Sequence, residues 1–271
     1  MRKLLLGLGL AAAATTTLAA DYSDNIHKND YSWRQFNLMY ASKELPGKNS
    51  HDYMEMEFGG RSGIVDLYGY IDVFNLTNSK SSDKYGKDKL FLKIAPRFSL
   101  DAMTGKDLSI GPVKEWYIST LFSMDGGHDT NVGTNDEIDA TNNAFVGIGA
   151  DVEVPWLGKT GVNLYKLYDM TGHRQDWNGY QLSANWFKPF MTFDNGSFIA
   201  YQGYFDYQFG MDKKYATSST GFDNFNGIYW HSKRYAVGYG LKYFNNVYGI
   251  KNSDALKSTG FGQYIDVSYK F

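Results

Sequence analysis

FGQYIDVSYKF, residues 261–271, places Ile265, Val267, Tyr269 and the terminal Phe271 on one side of an extended chain. Asp266, Ser268 and Lys270 fall on the other. Side chains alternate across a strand, so the stretch is a strand with one greasy and one polar face. Chain ends are ordinarily loose and polar. A strand that stays amphipathic to its last aromatic is expected to be held along its whole length, against something apolar.

The other end of the chain says where that apolar surroundings lies. Arg2 and Lys3 precede an apolar run, Leu4–Ala14, followed by small residues up to Thr17-Leu18-Ala19-Ala20. This is the pattern of a secretory signal peptide, with cleavage expected after Ala19 or Ala20. The run is shorter than the roughly 20 residues a membrane-spanning helix needs. Residues 1–19 are therefore expected to be removed and 20–271 to form one exported domain.

Composition narrows the class further. The sequence contains no cysteine, which excludes thiolate chemistry and cysteine-ligated zinc. A net charge of -2 lacks the basic footprint that nucleic acid requires. Aromatic residues make up 17% of the chain while its mean hydropathy is -0.43. Aromatics that abundant in a hydrophilic chain imply alternation, the weak per-segment signature of a transmembrane β-barrel. A soluble sandwich alternates in the same way.

Period-two segments recur at 33–42, 52–58, 64–74, 89–100, 113–124, 144–154, 161–169, 179–187, 198–209, 225–231 and 234–244, and 261–271 completes about a dozen. In 161–169 the pattern is blurred, because Tyr165 and Tyr168 fall on opposite faces, and 225–231 is short. The connections separate barrel from sandwich. GGRSG (59–63), PWLGKTG (155–161) and SKR (232–234) are tight, whereas 75–88, 123–143, 210–224 and 246–260 are long and polar. Residues 101–111 and 188–197 are intermediate. Short periplasmic turns alternating with long extracellular loops belong to outer-membrane barrels. The expected fold is all-β, an antiparallel transmembrane barrel of about twelve strands in the bacterial outer membrane. Closure pairs the last strand with the first, since an open edge in lipid leaves backbone groups unsatisfied. Phe271 then anchors that strand at the interface.

Two stretches carry a specific likeness. DYMEMEFGGRSGIVDLYGYIDVF (52–74) and FLKIAPRFSLDAMTGKDLSIGPVKEWY (91–117) resemble the Tsx family of nucleoside-specific channel-forming porins, and within it most resemble the vibrio-type members. WNGYQLSANWFKPF (177–190) and TGFGQYIDVSYKF (259–271) are similar to the same family more loosely. The resemblance implies a monomeric twelve-stranded barrel with a narrow nucleoside-selective pore. It also implies phage-receptor use of the loops in some members. The terminal strand ending at Phe271 resembles the signal read by outer-membrane assembly machinery.

A dozen strands enclose a lumen between the filled 8-strand barrel and the open 16-strand porin. The polar faces supply carboxylates for it, namely Glu55, Glu57, Asp66, Asp72, Glu115, Asp151, Glu153 and Asp206. They also supply the cations Lys93, Arg97 and Lys242, and the phenols Tyr68, Tyr70, Tyr117 and Tyr204. A nucleoside needs an aromatic face for its base and partners for its ribose hydroxyls, held weakly enough to leave. Tyr68, Tyr70 and Tyr117 are the expected stacking faces, and Glu55, Glu57, Asp66 and Glu115 the expected ribose acceptors. Pairing of Glu55 and Glu57 with Lys93 or Arg97 is the structural alternative.

Other chemistries find less support. No cofactor or metal is expected: Gly59, Gly60 and Gly63 serve a turn, and loop 123–143 lacks EF-hand spacing. An outer-membrane hydrolase would need a histidine beside a serine or paired acids. His27, His51, His128, His173 and His231 fall mostly in loops or at strand ends with no serine-centred motif, and His173 beside Arg174 and Asp176 reads as a surface cluster. A non-selective pore or a docking surface is the remaining alternative.

Overall fold

The computed structural model describes residue 22 and residues 24–47, 49–125, 141–171 and 175–271. The expected signal peptide, most of loop 123–143, and His128, His173 and Arg174 lie outside them. Twelve strands run in chain order: β1 Tyr31–Glu44, β2 Asn49–Ser62, β3 Val65–Phe74, β4 Leu90–Ser99, β5 Val113–Asp125, β6 Asn142–Val154, β7 Gly158–Asp169, β8 Asp176–Thr192, β9 Phe198–Phe209, β10 Thr220–His231, β11 Tyr235–Asn245 and β12 Gly260–Lys270. Each pairs antiparallel with its neighbours, and β12 returns to β1 to close the barrel. The closing register runs from Gln35↔Lys270 to Ser42↔Gln263. Phe271 adds one more bond, its N–H donating to the Arg34 carbonyl at 3.3 Å. Its ring packs edge-on against Phe36 and Tyr269 and stays exposed on the outside.

The alternation read from the sequence becomes two opposed surfaces. Outward positions such as Leu38, Ile148 and Ile265 are exposed, whereas inward Asp66, Glu115 and Asp151 are buried. A skin of exposed aliphatic and aromatic residues suits lipid, and no helix among the described residues could cross a membrane. In β7 the two tyrosines do point apart. Tyr165 is buried inside against Phe145, while Tyr168 packs outside on Trp177.

The end where β1 begins and β12 finishes carries the short connections 63–64, 155–157, 193–197 and 232–234. In outer-membrane barrels this end faces the periplasm. The β4–β5 connection holds a short helix, α1 (Leu100–Thr104), capped by Ser99 Oγ accepting the Ala102 N–H at 3.0 Å. At the opposite end 75–89, 210–219 and 246–259 are long, and 45–48 and 170–175 are short.

Three strands outrun their sequence pattern. β2 absorbs Gly59–Ser62, which read as turn, because Trp33 of β1 packs over Gly59. β8 continues to Thr192, shrinking the 188–197 connection to 193–197. β10 begins at Thr220 rather than 225, since its outward Asn224 and Asn226 break the apolar alternation. Those two amides are satisfied laterally: Tyr201 Oη donates to Asn226, Asn226 to Asn224, and Asn224 to the Tyr204 carbonyl.

β11 offers glycines inward, and rings from β10 lie flat on them. A Cβ at Gly238 would stand 2.1 Å from the Tyr229 ring, and one at Gly240 would stand 2.3 Å from Phe225. Gly238→Ala is therefore expected to lower stability by about 1–3 kcal/mol through overpacking. Urea unfolding of the refolded barrel in detergent, followed by tryptophan fluorescence, measures this. An unshifted midpoint would contradict the seating of Tyr229.

Candidate functional site

Every expected lining residue stands on the inward side of its strand, because each occupies the polar half of the alternation. The set nonetheless divides by what the side chains touch.

Toward the periplasmic end the charges are paired across strands. Arg97 of β4 donates to Asp66 Oδ1 of β3 at 2.9 Å and to Asp151 Oδ1 of β6 at 3.0 Å. Lys159 reaches Asp151 from the other side at 2.6 Å, and Glu153 is its cross-strand partner. Arg61 of β2, a residue that sequence reasoning passed over inside GGRSG, grips Glu115 of β5 through both terminal nitrogens. Tyr117 is fully buried beneath the Arg97 guanidinium, 4.0 Å from its ring centre. Its hydroxyl lies 2.7 Å from Glu115 and 3.0 Å from Asp151. The ring of Tyr117 and the carboxylates of Asp66 and Glu115, expected to meet a solute, are thus already engaged by protein. The physical reason is crowding: two guanidinium groups share this end with three acids, and in a confined space bidentate pairing is the strong arrangement.

The chain preceding β1 closes over the same cluster. Tyr22 donates to Glu115 Oε1 at 2.7 Å, and burial, reinforced by that carboxylate, pushes its phenol up. Asp30 accepts from the Gly63 N–H at 2.8 Å and from Ser62 Oγ at 3.0 Å. The Gly63 N–H first, then His27 and Ser62, hold its carboxyl below the ordinary range.

Farther along the interior the side chains are looser. Asn37 Nδ2 bridges Glu55 at 2.6 Å and Glu57 at 3.2 Å, and Gln35 and Tyr68 each donate to Glu57 at 2.8 Å. Neither glutamate pairs with Lys93 or Arg97. Tyr68 keeps 37% of its surface exposed on the inward side, so there is open space beside it. Tyr70 meets Tyr68 edge to face at 6.1 Å, and Asp72 follows on the same strand. Six strands away around the ring, Tyr204 stacks with Phe225 at 5.9 Å and 20°. Lys93 bridges to Asp206 at 3.5 Å and Lys242 to Asp223 at 2.8 Å, both beside the Tyr204 ring. Phe225 and Tyr229 escaped the sequence reading because their seats are glycines on a neighbouring strand, a relation that only the register reveals.

At the extracellular end His51 is buried rather than in a loop. Its Nδ1 lies 2.7 Å from Ser82 Oγ, and its Nε2 lies 3.2 Å from Glu44. Ser82 is buried too, and its oxygen also takes the Lys84 N–H at 3.1 Å. The arrangement ties loop 75–89 to the barrel wall.

The family described as "Nucleoside-specific channel-forming protein, Tsx" matches residues 28–271. The chain is 65% identical to outer membrane protein OmpK of Vibrio parahaemolyticus serotype O3:K6, over all of both chains. It is 27% identical to the nucleoside-specific channel-forming protein Tsx of Salmonella typhimurium, again over all of both. Among solved structures, the KdgM porin aligns over 88% of this chain and 99% of its own, with 9% identity and a TM-score of 0.44. The chain belongs to the Tsx family of outer-membrane channels.

Breaking the Arg61–Glu115 pair tests the periplasmic cluster. Glu115→Gln strands a buried guanidinium and is expected to cost about 3–5 kcal/mol, whereas Arg61→Met with Glu115→Leu should cost clearly less. Equilibrium unfolding of the two variants decides it. Equal losses would deny that Arg61 depends on Glu115.

Proposed function

We propose that this channel passes nucleosides selectively, by letting the base slide across inward aromatic faces while the ribose hydroxyls meet carboxylate and amide acceptors. One observation carries the reading. Tyr68 keeps 37% of its surface exposed on the inward side, an aromatic face that no protein group covers as Arg97 covers Tyr117. Its hydroxyl donates to Glu57 at 2.8 Å, and Tyr70 stands beside it edge to face. Base–aromatic stacking contributes roughly 1–3 kcal/mol and tolerates any base.

The stacking role stays with Tyr68 and Tyr70 and is lost by Tyr117, which Arg97 covers. Glu55 and Glu57 keep the acceptor role, and Asp66 and Glu115 act as struts. Acceptors already shared with Asn37 and Gln35 bind a neutral ribose weakly, which conduction requires. The same carboxylates repel phosphate and so favour nucleosides over nucleotides. The relatives named as nucleoside-specific channels support the reading, at 27% identity for the Salmonella protein.

Single-channel conductance of the refolded protein in a planar bilayer, titrated with adenosine, thymidine and a sugar of similar size, tests it. Nucleosides should block and the sugar should not. Tyr68→Ala should weaken the block by about 5- to 150-fold, the ratio matching loss of one stacking contact. Conductance indifferent to every solute would make the lumen a general pore.

A further inference from the structure

On the inward side of β12, β2 and β3, four carboxylates stand without a cation. Glu55 and Glu57 share the Asn37 amide, and Asp72 is the direct cross-strand partner of Glu55. Asp266 of β12 sits in register between Met39 of β1 and Gly238 of β11. At strand spacings of about 4.8 Å the group spans roughly 15 Å. The inward cations are committed elsewhere, Arg61 to Glu115, Arg97 to Asp66 and Asp151, Lys93 to Asp206, and Lys242 to Asp223. Among the described residues none of the four acids forms an ion pair.

Two of these acids also leave one oxygen without a hydrogen-bond donor. Asp72 and Asp266 are each only 5% exposed, and each leaves its Oδ1 without a donor. Asp266 satisfies its other oxygen locally, through Ser268 Oγ at 3.1 Å. Buried carboxylate oxygens are costly unless something supplies a donor or a positive charge. Asp72 meets only the Glu55 carboxyl, which can share a proton with it, and Asp266 Oδ1 is left with neither, on a wall that faces the interior.

The neighbours are aromatic. Tyr229 lies on Gly238, the cross-strand partner of Asp266, so its ring borders that carboxylate. Tyr68 and Tyr70 flank Glu57 and Asp72, and Trp33 lies 6.3 Å from Tyr68. Ring faces beside carboxylates attract a desolvating ammonium group through both charge and cation–π contact. No three acids among the described residues converge as ligands of a metal ion do. The spacing instead suits an extended cation that touches the acids in turn.

We propose that this wall is a binding station for small organic ammonium cations and that it makes the channel cation-selective, adding a charged solute class to the neutral nucleosides. The inference needs the lumen but not nucleoside recognition.

The test uses the refolded full barrel in a planar bilayer. A potassium chloride gradient gives the ion preference. Putrescine, with 1,4-butanediol as its uncharged counterpart, then probes the station. Cations should carry most of the current, and putrescine should block while the diol does not. Glu55→Gln combined with Asp266→Asn should weaken the putrescine block by about tenfold or more, since charge-assisted contacts are the strong ones. Anion preference or no preference overturns the proposal, as does equal block by diamine and diol or a block that survives the paired substitution. The wild-type arms decide even where the variant fails to refold. Adenosine titrated in the same membrane reports separately: its failure to block, with putrescine still blocking, would end the nucleoside reading and leave the cation station standing.

Discussion

Closure of the sheet is the constraint on which everything else rests. In hydrocarbon an unpaired backbone N–H or carbonyl costs several kcal/mol, so a spanning sheet can have no edge. β12 meets β1 from Gln35↔Lys270 to Ser42↔Gln263, and the Phe271 N–H extends the ladder by one bond. Once the ring is closed, each strand has lipid on one side and the interior on the other. The alternation of every strand follows from that division, including a terminal strand that stays apolar on its outer side to its last residue.

The interior then has to dispose of its charges, and it does so in two ways. Near the periplasmic end, guanidinium groups and acids are matched across strands, and Tyr22 and Ser99 take part of what the Glu115 carboxylate offers. Such struts fix the width of that end, because removing one partner would leave a buried charge uncompensated. In the middle, acids are held by amides and phenols or by nothing, and rings lie against glycine. The difference between strut and station is one of pairing, since both use the same residue types.

That difference also explains which parts were legible. Period-two alternation located all twelve strands, because lipid and interior impose opposite demands on successive residues. The family likeness, densest over 52–117, agreed with the fold. Strand ends were less legible: Gly59–Ser62 carry turn residues inside β2, and Asn224 and Asn226 place polar groups on an outer face. The inward side of each candidate followed from its parity, but its occupation did not. Tyr68 and Tyr117 look alike in sequence, and only the three-dimensional register puts Arg97 over one and open space beside the other. Tyr229 and Phe225 depend on Gly238 and Gly240 of another strand, and Ser82 meets His51 across 31 positions of chain. Local pattern contains none of these pairings.

The central claim is that the inward surface lines water open to solutes while the outward surface meets lipid. Tyr68 and Ile71 of β3 separate the two, being exposed to nearly the same extent, 37% and 38%, on opposite faces. The sequence has no cysteine, so Tyr68→Cys and Ile71→Cys each report a single site. Labelling each reconstituted variant with a charged, membrane-impermeant thiol reagent is the direct measurement. Rapid reaction at position 68, slowed by nucleoside, with position 71 inert, is the result this account requires. Equal reaction at both positions, or reaction at 71 alone, would contradict it.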